Sequence, residues 1–267
     1  MIKRVSLFER ADFRGIRKIC YISGMKEKIQ TNDIQINTDV LKIIACICML
    51  CDHVAIILFM PGDPTYEIMR RIGRTAFPIF CFLLTEGFIY THNRKRYAGS
   101  LLLFALLSQP VYEISISESS ERLNVMFTLL LGIILLQVLE QLSDLQSGIR
   151  FCLSGISIAL ICMIASYIHC SYEAIGILEI AAFYIFRQKR VLSLLFAYIV
   201  ISLDILMGGA GLWAAPAFIF IYFYNGKQGK ISKKYKYLFY FFYPGHLLAL
   251  LLIGRLIFYI WYLSYWS

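Results

Sequence analysis

Two histidines and an aspartate occupy stretches of the chain that are otherwise almost wholly apolar. Asp52 and His53 lie in the run LKIIACICMLCDHV, residues 41–54, and His246 lies in FYFFYPGHL, residues 239–247. An ionisable side chain at the centre of a membrane costs about 2.5–3.5 kcal/mol, so it is expected to face a cavity or a partner. A neutral imidazole in an apolar site is suited to general base catalysis. We therefore predict His53 as a catalytic base, with Asp52 and His246 as further catalytic residues.

The spacing on the first predicted helix separates these roles. At 100° per residue, Lys42 and His53 lie about 20° apart around the axis and about 16 Å apart along it, so they share a face. Asp52 points about 100° away from His53 and is expected to pair with a basic group of a neighbouring helix. His246 is expected nearer the cytoplasm than His53. A helix–helix hydrogen bond without chemistry is the alternative interpretation of His53.

Other polar residues are candidates for binding substrate or stabilising an oxyanion. Arg71 and Arg74 begin the run RIGRTAFPIFCFLLTEG, residues 71–87, and could clamp one anionic group or pair with Asp52. Snorkelling at the membrane interface is the alternative for both arginines. Polar side chains inside spans can equally be helix-to-helix contacts. The remaining candidates are Glu86, the pair Asn124 and Thr128, and Tyr243. Asn124 and Thr128 lie one turn apart, and Tyr243 lies about one turn before His246.

The string C-x-C-x-x-C-D-H suggests a zinc site, but helical geometry argues against it. Cys46 and Cys48 diverge by about 200° on one helix, so the ligands cannot converge on a tetrahedral metal. We predict no metal.

The elements that carry these residues are predicted to be transmembrane helices. Of the 267 residues, 59% are hydrophobic and 16% charged, against about 25% charged residues in an ordinary soluble domain. Stretches of about twenty apolar residues recur from residue 40 onward, enough to cross a hydrocarbon core of about 30 Å. Two of the predicted spans, 174–187 and 211–224, are short and could be half-helices. The nine predicted spans are residues 40–60, 72–91, 98–117, 123–142, 150–168, 174–187, 191–207, 211–224 and 238–263.

The basic residues predict the orientation of this bundle. With the N-terminus inside, most of the 26 Lys and Arg residues fall in inner segments, as the positive-inside rule requires. We predict an all-α polytopic bundle, N-in and C-out, in a bacterial cytoplasmic (inner) membrane. The net charge of +9 then sets topology, and no nucleic-acid partner is expected. Residues 1–38 are predicted to be a basic cytoplasmic segment, amphipathic or disordered, and residues 39–267 a transmembrane domain.

Several strings together resemble the TraX family, membrane proteins associated with conjugal transfer and with N-acetylation of pilin. The first helix also resembles, more loosely, the Arg and His signature of multipass membrane acyltransferases, with Lys42 in the place of the arginine. Two positions depart from the family pattern: Tyr90 stands where a histidine is expected, and Ser171-Tyr172-Glu173 stands where Asp-Tyr-Gly is expected. The matching strings are LKIIACICMLCDHV, RIGRTAFPIFCFLLTEG, RYAGSLLLFALLSQPVYE, LNVMFTLLLG, YNGKQGK and FYFFYPGHL.

The resemblance implies that residues 39–267 form a transmembrane acyltransferase-like domain that transfers the acetyl group of acetyl-CoA, with the lipid bilayer as surroundings. In that reaction His246 could protonate the departing thiolate. The acceptor is expected to be a pilin-like peptide amine or a cell-surface glycan hydroxyl. Two other functions remain open: a proton-coupled transporter with a relay of intramembrane acids, and a non-enzymatic assembly subunit. The motif residues map onto Asp52, His53, Arg71, Arg74, Glu86, Asn124, Thr128, Tyr243 and His246.

Overall fold

The described part of the chain is helical. Apart from two isolated β-bridges, its regular elements are α- and 3-10 helices, so the expected all-α class is confirmed for these residues. The expected basic segment, residues 1–38, lies almost wholly outside them. The computed structural model describes residues 36–116, 122–207, 209–231, 235 and 237–266.

Asparagine caps mark several helix starts. The side chains of Asn37, Asn93 and Asn124 each accept a backbone N–H from the first turn that follows, which satisfies donors that the helix leaves open. Two short 3-10 segments, Leu203–Met207 and Gly211–Ala214, accompany the α-helices. The α-helices are α1 (Thr38–Leu58), α2 (Pro64–Gly73), α3 (Ala76–Tyr90), α4 (Arg94–Ser115), α5 (Val125–Leu142), α6 (Ser147–Tyr167), α7 (Glu173–Ile185), α8 (Arg190–Ser202), α9 (Ala215–Tyr222) and α10 (Leu238–Trp266).

Each of the nine predicted segments contains a helix, but not all of these helices have the length and polarity of a span. α7 and α8 have 13 residues each, about 20 Å, which is shorter than a hydrocarbon core of about 30 Å. α8 was predicted to continue to residue 207, but it ends at Ser202 and tightens into a 3-10 turn. Within the described residues, five segments are long and apolar enough to cross a membrane: Thr38–Leu58, Pro64–Tyr90, Val125–Leu142, Ser147–Tyr167 and Leu238–Ser264.

The second predicted span is interrupted earlier than its proline suggests. In one continuous helix over residues 72–91, Pro78 would cause a kink, but α2 ends at Gly73 and α3 begins at Ala76. Pro78 thus lies in the first turn of α3, where its missing N–H removes no helical hydrogen bond. The break leaves Arg74 at the junction between the two helices.

α3 and α7 are the most buried helices, with 10 of 15 and 8 of 13 residues buried, and α7 has neighbours on several sides. It packs against α3, α5, α6 and α8, and most of its side chains are buried. A second core cluster joins α1, α4, α5 and α10 through Met49, Tyr112, Met126, Tyr243 and Leu247. The candidate catalytic residues lie beside this second cluster.

The start of α1 marks the end of the bundle that we call the basic end. The Thr38 hydroxyl lies 3.1 Å from the Tyr224 hydroxyl, and Arg190 donates to the Tyr224 carbonyl at 2.7 Å. The Lys42 ammonium lies 4.9 Å from the centre of the Phe239 ring, so α10 begins at the same end and runs parallel to α1. This end carries Arg94, Lys95, Arg96, Arg187, Lys189, Arg190, Lys227 and Lys230.

The other end of α1 lies about 30 Å away, and we call it the cavity end. Here Leu123 pairs with the segment around His169 and Cys170. The turn 59–63 also lies at this end and leads into α2 through Asp63, whose carboxylate accepts the Thr65 N–H at 2.6 Å.

Candidate functional site

A cavity of about 680 Å³ opens among α1, α2, α3, α4 and α10 at the cavity end. This volume is typical of a small-molecule site. Its wall combines basic, acidic and aromatic groups with a few apolar side chains. The lining residues are Met49, Asp52, His53, Ile56, Tyr66, Arg70, Gly73, Arg74, Ala76, Phe77, Phe80, Tyr112, Ile116, Arg122, Val125, Ser171, Tyr172 and Tyr243.

His53 is hydrogen-bonded to His246 at the base of this cavity. The Nδ1 atom of His53 lies 2.6 Å from Nε2 of His246, and the two ring planes are only 5° apart. Both side chains are buried, at 8% and 7% exposure. The sequence suggested that His246 lies nearer the basic end than His53, and this was wrong: α1 and α10 run in parallel at a register that sets both rings at one depth.

The hydrogen bonds fix which nitrogens of the pair carry protons. Nδ1 of His246 lies 2.7 Å from the Phe242 carbonyl oxygen, which can only accept, so this nitrogen donates. In the neutral ring Nε2 of His246 is then an acceptor, and Nδ1 of His53 donates to it. The proton of His53 is therefore on Nδ1, and its Nε2 keeps a free lone pair. Because Nδ1 faces His246, Nε2 is the nitrogen available to a ligand in the cavity.

This arrangement changes the role expected for His246. Both of its ring nitrogens are engaged, one by Phe242 and the other by His53, and it is not among the residues that line the cavity. It is therefore placed to orient His53 rather than to protonate a departing thiolate.

Asp52 forms the ion pairs that its helical position predicts. Its Oδ2 accepts from Arg70 at 2.6 Å, and its Oδ1 accepts from Arg74 at 3.0 Å. The close approach of α2 to α1 requires Gly73, since a Cβ there would overlap the Asp52 carboxylate. Asp52 thus anchors two arginines beside His53 and does not itself orient the imidazole.

Aromatic side chains form the opposite wall of the cavity. The Tyr172 ring stacks on Phe77, with centroids 3.5 Å apart. Burial raises the pKa of the Tyr172 phenol to about 12, while Arg74 acts in the opposite direction, so this phenol keeps its proton. Ser171 donates to the Leu123 carbonyl at 2.8 Å, and its oxygen lies 3.3 Å from the Tyr112 hydroxyl. Tyr112 is therefore the donor in that second contact.

Tyr243 lies about one turn before His246, as the sequence indicates, and the structure places its ring beside both histidines. Its ring centre lies 6.2 Å from that of His53 and 5.7 Å from that of His246, each in an edge-on arrangement. The side chain is 2% exposed and lines the cavity. It is therefore close enough to contribute to a site built around His53.

Other predicted site residues lie away from the cavity. Arg71 stacks on Trp213, at 4.6 Å from the ring centre. Arg70, rather than Arg71, pairs with Asp52. Glu86 is buried on α3 and is not among the lining residues. Thr128 packs against Gly176 of α7.

Asn124 has a structural role in this fold. Its amide nitrogen donates to the Ala105 carbonyl at 2.8 Å and to the Gln109 side chain at 2.9 Å. Its oxygen caps α5 by accepting the Met126 N–H at 3.0 Å. All of its polar atoms are thus engaged at 0% exposure, and none is left for an oxyanion.

Sequence reasoning missed several lining residues, among them Arg70, Tyr112, Arg122 and Tyr172. Arg70 and Arg74 are four residues apart, which is as good a match to one helical face as the spacing of Arg71 and Arg74. The position of Tyr112 and Arg122 in the wall depends on how α4 meets the loop before α5, for which the sequence carries no local signal.

The fold and this site define a class: a helical membrane protein with a paired histidine beneath an arginine-lined cavity. The family model described as TraX protein matches residues 37–254, a range that contains the whole cavity. The chain belongs to the TraX family.

Two curated proteins are similar to the chain. It is 30% identical over 236 residues to the probable fimbrial assembly protein FimC, serogroup H1, of Dichelobacter nodosus, which covers 79% of this chain and 92% of that protein. It is 31% identical over 94 residues to an uncharacterized protein of Rickettsia prowazekii (strain Madrid E), covering 35% of this chain and 34% of that protein. No solved structure matches the chain.

Proposed function

We propose that this TraX family member is a membrane acetyltransferase that moves the acetyl group of acetyl-CoA to an amine or hydroxyl acceptor. The observation that carries the proposal is the free Nε2 of His53 in a cavity, with Nδ1 held by His246. A base needs this combination of a fixed tautomer and an accessible lone pair. The resemblance to proteins associated with pilin acetylation supplies the reaction class.

The cavity residues can support each part of acyl transfer. The acceptor oxygen or nitrogen attacks the thioester carbonyl carbon, and Nε2 of His53 takes its proton. Tyr243 and Arg74 line the same cavity and can donate to the tetrahedral oxyanion. The carbon–sulfur bond then breaks, and the proton held by His53 neutralises the departing CoA thiolate. An acetyl-imidazole on His53 is the alternative route, and it would show as a burst of CoA release.

The two substrates are proposed to approach His53 from opposite sides of a bacterial inner membrane. We place the N-terminus and the basic end in the cytoplasm, because Lys and Arg are retained there. The CoA phosphates are then bound near Arg94, Lys95, Arg96, Lys227 and Lys230. The thioester would follow the seam between α1 and α10, past Lys42 and Cys46. The cavity end faces outward and receives the acceptor.

Proteoliposomes with sorted protein orientation test this proposal. Labelled acetyl-CoA is supplied on one side and a candidate acceptor on the other, and acetylated acceptor is measured. We expect transfer only when acetyl-CoA contacts the basic end and the acceptor contacts the cavity end. Full activity with both substrates on the cavity side would contradict the proposed route.

His53→Gln tests the catalytic assignment in the same assay. We expect the transfer rate to fall by about 100- to 10,000-fold, the range typical of a lost general base. The matched control is His92→Gln, since His92 is exposed and lies in the turn between α3 and α4. Retention of full transfer by His53→Gln would remove His53 from the chemistry.

The similarity to the probable fimbrial assembly protein of Dichelobacter nodosus supports a second candidate function, a non-enzymatic assembly subunit. In that case the histidine pair only joins α1 to α10. His53→Gln would then lower stability without changing assembly beyond that loss, and wild-type protein would release no CoA from acetyl-CoA in the presence of any acceptor.

A further inference from the structure

The charges around the cavity constrain the chemistry of the acceptor, and the inference drawn from them rests on the proposed acetyltransferase function. Among the described lining residues, the side chains of charged type are Asp52, Arg70, Arg74 and Arg122. Within this described part of the wall, one carboxylate faces three guanidinium groups, which is an excess of positive charge. Such a site attracts an anionic ligand.

The arginines that pair with Asp52 keep donors for a ligand. Arg70 reaches Asp52 through Nη1, and Arg74 reaches it through Nη2. A guanidinium group carries five N–H donors, so each arginine retains several. Their side chains are 28% and 18% exposed. The planar donor arrangement of arginine matches a carboxylate or a phosphate.

The position of Asp52 limits how far the anionic group of a ligand lies from the reacting atom. Asp52 and His53 are consecutive residues, and their Cα atoms are about 3.8 Å apart. Arg70, Arg74 and His53 also line one cavity. A ligand that contacts both the arginines and His53 therefore has its anionic group and its nucleophile within the length of one small molecule. The cavity volume of about 680 Å³ matches a ligand of small-molecule size rather than a folded domain.

We propose that the acceptor is the hydroxyl of an acidic saccharide unit, with its carboxylate or phosphate held by Arg70, Arg74 and Arg122. A sugar hydroxyl is neutral and enters this positive cavity without electrostatic cost. The α-amino group of a peptide is largely protonated near pH 7, so it is repelled there unless it first loses its proton. Tyr66, Tyr112 and Tyr172 add rings that carry both apolar faces and polar hydroxyls, which suit an amphipathic ring such as a sugar.

A pair of acceptors that differ only in charge tests this inference. Methyl glucuronide and methyl glucoside are supplied to the cavity end with labelled acetyl-CoA at the basic end, beside a short peptide with a free N-terminus. We expect kcat/KM to be at least about tenfold higher for the glucuronide than for the glucoside. Arg122→Gln should remove most of this preference through the KM of the acidic sugar. Arg255→Gln, an exposed arginine of α10 outside the cavity, is the matched control.

Binding gives a second measurement that does not need turnover. His53→Gln protein, which keeps all three arginines, should bind methyl glucuronide more tightly than methyl glucoside in calorimetry, and the addition of Arg122→Gln should abolish the difference. Equal rates for the two sugars, a preference for the peptide, or an Arg122→Gln effect on the KM of acetyl-CoA instead would overturn this inference alone. Absence of transfer to every acceptor, with no CoA release, would overturn the proposed function as well.

Discussion

Two groups of buried polar side chains coexist in this bundle, one around the cavity and one between helices. Around the cavity, His53 keeps an Nε2 lone pair that a ligand can reach, and Asp52 binds two arginines that line the same cavity. Between helices, the polar side-chain atoms of Asn124 and Ser108 form hydrogen bonds with other groups of the protein. A polar residue in an apolar stretch therefore does not by itself indicate chemistry, because a reactive group also needs a free atom that faces the cavity.

His53→Gln should show the largest effect in this comparison, the loss of about 100- to 10,000-fold in transfer rate given above. The physical reason is the loss of the one imidazole nitrogen that faces the cavity with a free lone pair. Thermal unfolding in detergent, measured beside the rate, shows whether the variant is still folded. A rate loss matched by an equal loss of folded protein would place His53 with the packing group.

His246→Ala should have a smaller effect, about 10- to 100-fold, the range known for partners that orient metal-bound histidines. The variant keeps His53 but removes the hydrogen-bond partner of its Nδ1, so the tautomer and the orientation of the His53 ring are no longer fixed. His246→Gln offers an amide oxygen to the same N–H and should recover most of the rate. Recovery by Gln, measured as kcat, separates positioning from simple filling of space. Equal loss in both variants would contradict the positioning role.

Arg70→Gln and Arg71→Gln compare two neighbouring arginines on different sides of α2. Arg70 is bound to Asp52 in the cavity, so its loss should lower kcat/KM about tenfold, equivalent to about 1.4 kcal/mol. Arg71 stacks on Trp213, so its loss should cost no more than about 1 kcal/mol of stability, with a smaller effect on kcat/KM. A larger loss of kcat/KM in Arg71→Gln than in Arg70→Gln would instead favour Arg71 as the arginine that acts in the site, as the sequence suggested.

Asn124→Ala should have the smallest effect on transfer and the clearest effect on stability. It removes a helix cap, a buried hydrogen bond to Ala105 and a partly buried one to Gln109, which together contribute about 2–3 kcal/mol. The midpoint of thermal unfolding should fall, while the rate per folded molecule changes by less than about a factor of 2.3, or 0.5 kcal/mol. The result that would count against the packing role is a normal unfolding midpoint with a large rate loss.

The positions of the helices follow closely from the sequence. The length of the apolar runs predicts where α1, α5 and α6 lie to within a few residues. In the membrane core no water can bind the backbone N–H and C=O groups, so a long apolar run must form a helix, which pairs these groups internally. Helix ends were less predictable. Pro78 would kink a continuous helix but lies in the first turn of α3, because α2 ends at Gly73.

In the candidate site too, some features follow from the sequence and others do not. The sequence by itself determined that Asp52 and His53 face different neighbours, because consecutive residues on a helix point about 100° apart. It also marked Tyr243 and His246 as unusual in the last apolar segment. It did not predict that the two histidines touch, that Arg70 rather than Arg71 meets Asp52, or that Asn124 is fully engaged. Those facts depend on the register of α10 along α1 and on the junction between α2 and α3. Only the tertiary structure decides them, because contacts between residues about 190 positions apart arise from the packing of whole helices and leave no periodic signal in either segment.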